Sequence, residues 1–179
     1  MTEDRSSSRA RRGSERCAAD TGSPQAHPLF TIPDPRRAVA RLAASGMTAG
    51  EPKHLFVYGT LMRASRSPYA RLLQARARFV GEAWTRGRLY NLGRFPGAVF
   101  DAACAGKIHG EAFLVQNPSL LAALDAYEGC GGVGTKPDLF YRAVVEAQLA
   151  RGGSVACWVY PYAGPVAGRP CIASGRFPL

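Results

Sequence analysis

Between Leu55 and Tyr160 the sequence reads as a succession of short apolar, β-branched or aromatic stretches interrupted by only two helical ones. That imbalance excludes most ways of folding a chain of this length. The strand-like stretches are Leu55–Tyr58, Phe79–Trp84, Gly87–Tyr90, Ile108–Val115, Tyr141–Gln148 and Val155–Tyr160. The helical ones run around Tyr69–Arg76 and Asn117–Tyr127, while Gly93–Gly97 and Cys130–Pro137 carry the glycines and prolines of loops. A doubly wound parallel sheet needs regular alternation of strand and helix, which is missing. The pattern predicts an α+β domain built on a mixed β-barrel or a strongly bent sheet.

At 179 residues the chain has room for one hydrophobic core. We place that core in residues 51–179 and read residues 1–50 as a disordered basic tail. From Met1 to about Leu29 the tail is rich in Ser, Arg, Ala and Gly, with too few large apolar groups to offset the entropy of ordering. Within it Asp34, Pro35, the apolar set Ala38, Val39, Leu42 and Ala43, and Gly46 predict a short amphipathic helix at 35–45. Arg11 and Arg12 are followed by Gly13, Ser14, Glu15 and Arg16 rather than by an apolar stretch, so an export signal is not expected. No apolar run approaches the roughly 20 residues of a membrane-spanning helix.

Cys17, Cys104, Cys130, Cys157 and Cys171 form no C-x-x-C pair and are odd in number, which predicts reduced thiols and a cytoplasmic setting. His27, His54 and His109 lie in separate segments without metal-ligand spacing, so no metal site is expected. The net charge is +10, and eight arginines between Arg63 and Arg94 face only Glu82. Nucleic-acid recognition normally brings a basic helix or an aromatic platform as well, and neither is present. A plain arginine-rich solvated surface is the preferred reading, and attraction of anionic small molecules stands second.

Two segments carry candidate chemistry. The strand ending in Tyr58-Gly59-Thr60-Leu61 runs into a glycine, where successive backbone N–H groups can turn toward one point and hold a carboxylate or an oxyanion. A strand ending in a plain tight turn has the same sequence. The second segment is Asn117 to Gly129, a helix with an N-cap, a first-turn proline and a C-terminal glycine. Leu121, Leu124 and Glu128 share one of its faces, so Glu128 stands on or beside the buried side, in the last turn. The helix dipole and burial both raise the pKa of a carboxyl so placed, which suits a general acid/base; an exposed Glu128 paired with Lys136 or Arg142 fits the spacing equally.

Several pieces in fixed order resemble the gamma-glutamylcyclotransferase-like (AIG2-like) family from about His54 to the C-terminus. They are Tyr58-Gly59-Thr60-Leu61, Leu89-Tyr90 with Phe95-Pro96-Gly97-Ala98, Ile108-His109-Gly110-Glu111, Leu124 to Gly129, Tyr141-Arg142 and Ile172 to Gly175. The resemblance implies a mixed β-barrel with flanking helices and a pocket floored by the loop after the first strand. It assigns catalysis to Glu128, receipt of a γ-glutamyl group to Tyr58, Gly59, Thr60 and Leu61, and a pocket border to Tyr141. After Leu61 the chain has Met62-Arg63-Ala64-Ser65-Arg66-Ser67-Pro68, without the glycine and asparagine of many relatives, which leaves the substrate open.

The implied reaction closes a γ-glutamyl compound on itself, releasing 5-oxoproline and a free amine. It needs no cofactor, and its partner is a small molecule rather than a membrane. Two other functions stand against it: a pocket that binds without turnover, and a nucleic-acid-associated protein driven by the arginines.

Overall fold

A computed structural model describes residues 51–130 and 138–179. The tail with its helix at 35–45, and most of the loop expected at Cys130–Pro137, lie outside them. Six strands occur in the order β1 (His54–Val57), β2 (Arg78–Asn91), β3 (Pro96–Phe100), β4 (Lys107–Leu114), β5 (Ala143–Leu149) and β6 (Ser154–Val159). Helix α1 (Pro68–Arg76) follows β1, and α2 (Pro118–Glu128) follows β4.

The strands hydrogen-bond in the order β3-β2-β4-β1-β6-β5, and a further β2–β5 pairing closes five of them into a barrel. Only β1 and β6 are parallel, through His54↔Cys157 and Leu55↔Trp158; the other pairings are antiparallel, so the barrel is mixed as expected. The closing seam is short, Ala83↔Leu149 and Trp84↔Gln148. It is reinforced where Thr85 Oγ1 donates to the Glu146 carbonyl at 3.0 Å and the Ala150 N–H to the Glu82 carbonyl at 2.9 Å.

Alternation along each strand divides the apolar residues into two cores. Phe56, Ala112, Ile108, Ala147, Cys157 and Val159 fill the barrel. Leu55, Val57, Phe113 and Trp158 point the other way, onto Leu73 of α1 and Leu120 and Leu124 of α2. Each fully buried leucine contributes about 1.5–3 kcal/mol, enough to hold two short helices that would not persist alone. Both begin at a cap and a proline. Ser67 Oγ accepts from the Tyr69 N–H at 3.2 Å, and Asn117 Oδ1 from the Ser119 N–H at 2.9 Å. The helices meet through Tyr69 and Tyr127, stacked with centroids 4.0 Å apart.

Three expectations need correction. Phe79–Trp84 and Gly87–Tyr90 belong to one 14-residue strand. Its register slips between Phe79 and Gly81, and this bulge bends the strand without ending it. The loop expected at Gly93–Gly97 yields to β3 at Pro96, because a proline at a strand's first position forfeits no ladder bond. Tyr141 precedes its strand, which starts at Ala143. No helix among the described residues is long and apolar enough to cross a membrane.

Candidate functional site

Glu128 is the last residue of α2, and Gly129 ends the helix there in the left-handed conformation, φ 74°. That turn leaves the carboxyl half-buried against the end of the barrel rather than in solvent. Burial pushes its pKa up to about 7.

Opposite it stands the end of β1. The buried Tyr58 hydroxyl donates to the Tyr160 carbonyl, and its pKa is held well above the usual phenol value by burial first and the Glu128 carboxylate second. Gly59 carries the chain across Pro96 so closely that a Cβ would lie 2.5 Å from Pro96 Cγ. The chain then turns, with the Met62 N–H donating to the Gly59 carbonyl at 2.9 Å. Among the described residues, the N–H groups of Thr60 and Leu61 donate to no partner.

Glu111 on β4 holds this turn from below. Its carboxylate, only 6% exposed, accepts from the Arg63 N–H at 2.8 Å and from Arg63 Nε at 3.2 Å, while the guanidinium covers the Phe79 ring at 3.6 Å. Hydrogen bonds to a charged group contribute about 1.5–3 kcal/mol. Glu111→Ala is therefore expected to cost about 2 kcal/mol in urea unfolding, and unchanged stability would show that the clamp is idle.

The two halves enclose one cavity of about 390 Å³. Phe56, Val57, Tyr58, Gly59, Thr60 and Leu61 form one side, and Tyr127 and Glu128 another. The strand β3 and its approach add Arg94, Phe95 and Pro96, and the segment before β5 adds Leu139 and Phe140, with Tyr160 beyond β6. Glu128, Tyr58, Gly59, Thr60 and Leu61 thus come together from segments about 70 positions apart. Tyr141 is not among the lining residues; it is half-buried, its N–H donates to the Pro161 carbonyl at 3.2 Å, and its charge acts to raise the Tyr58 pKa.

Asp125, one turn before Glu128, is occupied differently. It accepts from the Tyr160 hydroxyl at 2.8 Å and from Arg142 Nη1 at 2.7 Å, tying α2 to β6 and to the approach of β5. Arg142 in turn lies over the Trp158 ring at 4.7 Å. This anchoring fixes the helix end from which Glu128 projects.

Sequence reasoning did not reach Arg94, Phe95, Tyr127, Leu139, Phe140 and Tyr160. The only available signal was the Phe95-Pro96-Gly97-Ala98 stretch, and it reads as a turn until β3 is seen beside β2.

With this geometry in place, the family model described as "Gamma-glutamyl cyclotransferase, AIG2-like" matches residues 55–179. A comparison with curated proteins finds no match. Among solved structures, an AIG2-like protein from Mus musculus superposes with a TM-score of 0.57 at 25% identity, over 72% of this chain and 90% of that one. YkqA from Bacillus subtilis gives 0.53 at 23% identity over 70% of this chain, which spans 39% of YkqA's length. The second likeness is one of fold; the family match takes in both helices, all six strands and every cavity residue. The chain belongs to the gamma-glutamyl cyclotransferase, AIG2-like family.

Proposed function

We propose that this chain is a cyclotransferase that converts a γ-glutamyl amine or peptide to 5-oxoproline and the free amine. One observation carries the reading: a carboxyl with a pKa of about 7 shares a cavity with backbone N–H groups that donate to no described residue.

A γ-glutamyl compound holds its own nucleophile, since its α-amine reaches its γ-carbonyl and closes a five-membered ring. The amine is protonated at neutral pH. Glu128 as carboxylate takes one proton, the freed nitrogen lone pair forms the new C–N bond, and the carbonyl electrons move to oxygen. The N–H groups of Thr60 and Leu61 meet that oxyanion, or the substrate's own carboxylate. Glu128, now protonated, returns that proton to the departing nitrogen as the old C–N bond breaks, and the regenerated carboxylate takes the second proton from the ring nitrogen and passes it to the released amine, leaving neutral 5-oxoproline and an ammonium. Tyr58 shapes the floor; its raised pKa keeps it neutral, so it does not compete for the proton.

These steps need proton transfer and oxyanion stabilisation alone, in a cytoplasmic protein whose Cys104, Cys130 and Cys157 form no disulfide among the described residues. Incubation with a panel of γ-glutamyl compounds should yield 5-oxoproline by mass spectrometry, at a rate unchanged by chelator. Binding without product across the panel would instead favour a pocket that has kept its ligand and lost turnover. A rate lost to EDTA and restored by a divalent ion would defeat the mechanism.

A further inference from the structure

The residues lining the cavity sort by depth. Phe56, Val57, Tyr58, Leu61 and Tyr160 are at most 7% exposed and form its floor. At the rim Tyr127 is 38% and Leu139 51% exposed, and the third exposed lining residue is Arg94. Glu128 and Arg94 are the two charged lining residues among those described. They differ in what already occupies them. Burial governs Glu128, whereas the Arg94 guanidinium enters neither of the ion pairs, nor any hydrogen bond, among the described residues.

This inference rests on the cyclotransferase reading and adds the substrate's outer half. Cyclisation places the γ-glutamyl group on the floor, where the N–H groups and Glu128 are, so the departing amine must extend to the rim. There it meets a cation beside two exposed apolar side chains. A guanidinium's planar fork matches a carboxylate, and Tyr127 and Leu139 offer area to an aliphatic or aromatic group. We propose that Arg94 is the specificity-determining residue of the leaving-group side, selecting γ-glutamyl compounds whose departing amine is an apolar α-amino acid with a free carboxylate. A simple alkylamine or a carboxamide would leave Arg94 unengaged.

The test compares γ-glutamyl-leucine with γ-glutamyl-leucinamide, which differ at the rim in charge and hardly in size. One charge-assisted contact at an exposed position implies about a tenfold preference in kcat/KM for the acid at low salt, weakening as ionic strength rises. Arg94→Leu should bring the acid-to-amide ratio close to one through KM, and Arg94→Lys should restore part of it. Equal use of both compounds by the wild type, or a preference that survives Arg94→Leu, overturns the assignment and leaves the cyclotransferase reading standing. Absence of 5-oxoproline from both compounds while other members of the panel yield it overturns the Arg94 proposal alone; absence across the whole panel overturns the cyclotransferase reading and the Arg94 proposal with it.

Discussion

Glu128→Gln is expected to lower turnover at least about 100-fold, the lower end of what general acid/base catalysis contributes. Glutamine keeps the shape and much of the hydrogen bonding of the carboxyl but cannot carry a proton from one nitrogen to the other. The same substitution should leave the fold intact and, at alkaline pH, strengthen it. In the folded chain the Glu128 carboxyl holds its proton up to about pH 7, against 4.5 for an ordinary glutamate. Between those values the folded state binds more protons than the unfolded state, so raising pH through this window removes stability. The cost is absent below about 4.5 and complete above 7. It is of order 1–3 kcal/mol for a half-buried group. Thermal melts should therefore show the glutamine variant more stable than wild type at pH 8 and equal to it at pH 4. Asp125→Asn is the internal control. It weakens bonds to Tyr160 and Arg142, so it should lower the melting temperature and reduce turnover far less. If Asp125→Asn abolishes turnover in a folded protein while Glu128→Gln does not, the acid/base role passes to Asp125.

Gly110→Ala should be among the most destabilising single changes in the barrel. A Cβ at this position would stand 2.1 Å from the Val57 carbonyl oxygen and 2.9 Å from the Phe56 ring. The ring can tilt; the carbonyl belongs to β1 and cannot retreat without loosening the ladder to β4, where Val57 is paired with Glu111. Overpacking against backbone costs about 3 kcal/mol. For a domain of this size that corresponds to roughly 10 °C in melting temperature. The displacement falls one residue before Tyr58, so surviving folded protein should also bind substrate poorly. A melting temperature within a degree or two of wild type would mean that β1 is far more compliant than its burial indicates.

The helices were legible because their ends are written locally. Asn117 and Pro118 start α2 and Gly129 stops it, and the apolar spacing between them needs no distant partner. Glu128 could be placed for the same reason. The long β2 was not legible as one strand, because the polar pair Thr85-Arg86 interrupts the apolar pattern between Phe79–Trp84 and Gly87–Tyr90. In the structure Gly81 sits at the bulge, and Gly87 is required by the close approach of β3: a Cβ there would lie 2.4 Å from the Val99 carbonyl oxygen. Strand β3 itself is invisible until β2 passes beside it. Arg94, Phe95 and Pro96 reach the cavity only through that pairing. The rim was hidden for a similar reason, since Leu139 and Phe140 are carried there by an isolated bridge between Phe140 and Tyr162 that no local pattern announces.

The parallel pairing of β1 with β6 has a consequence for how the protein is made. Of the described strands β1 is made first and β6 last, and the Tyr58 hydroxyl finds its carbonyl 102 positions further on. A hairpin can form while synthesis continues, but this pair cannot. Joining ends so far apart places the barrel among the slower-folding topologies, on a scale of milliseconds to seconds. Until β4 and then β6 have been made, β1 lacks its ladder partners, and apolar Leu55, Phe56 and Val57 lack the cover that they have in the barrel. The segment that forms the pocket floor is thus also the one most in need of protection in the nascent chain.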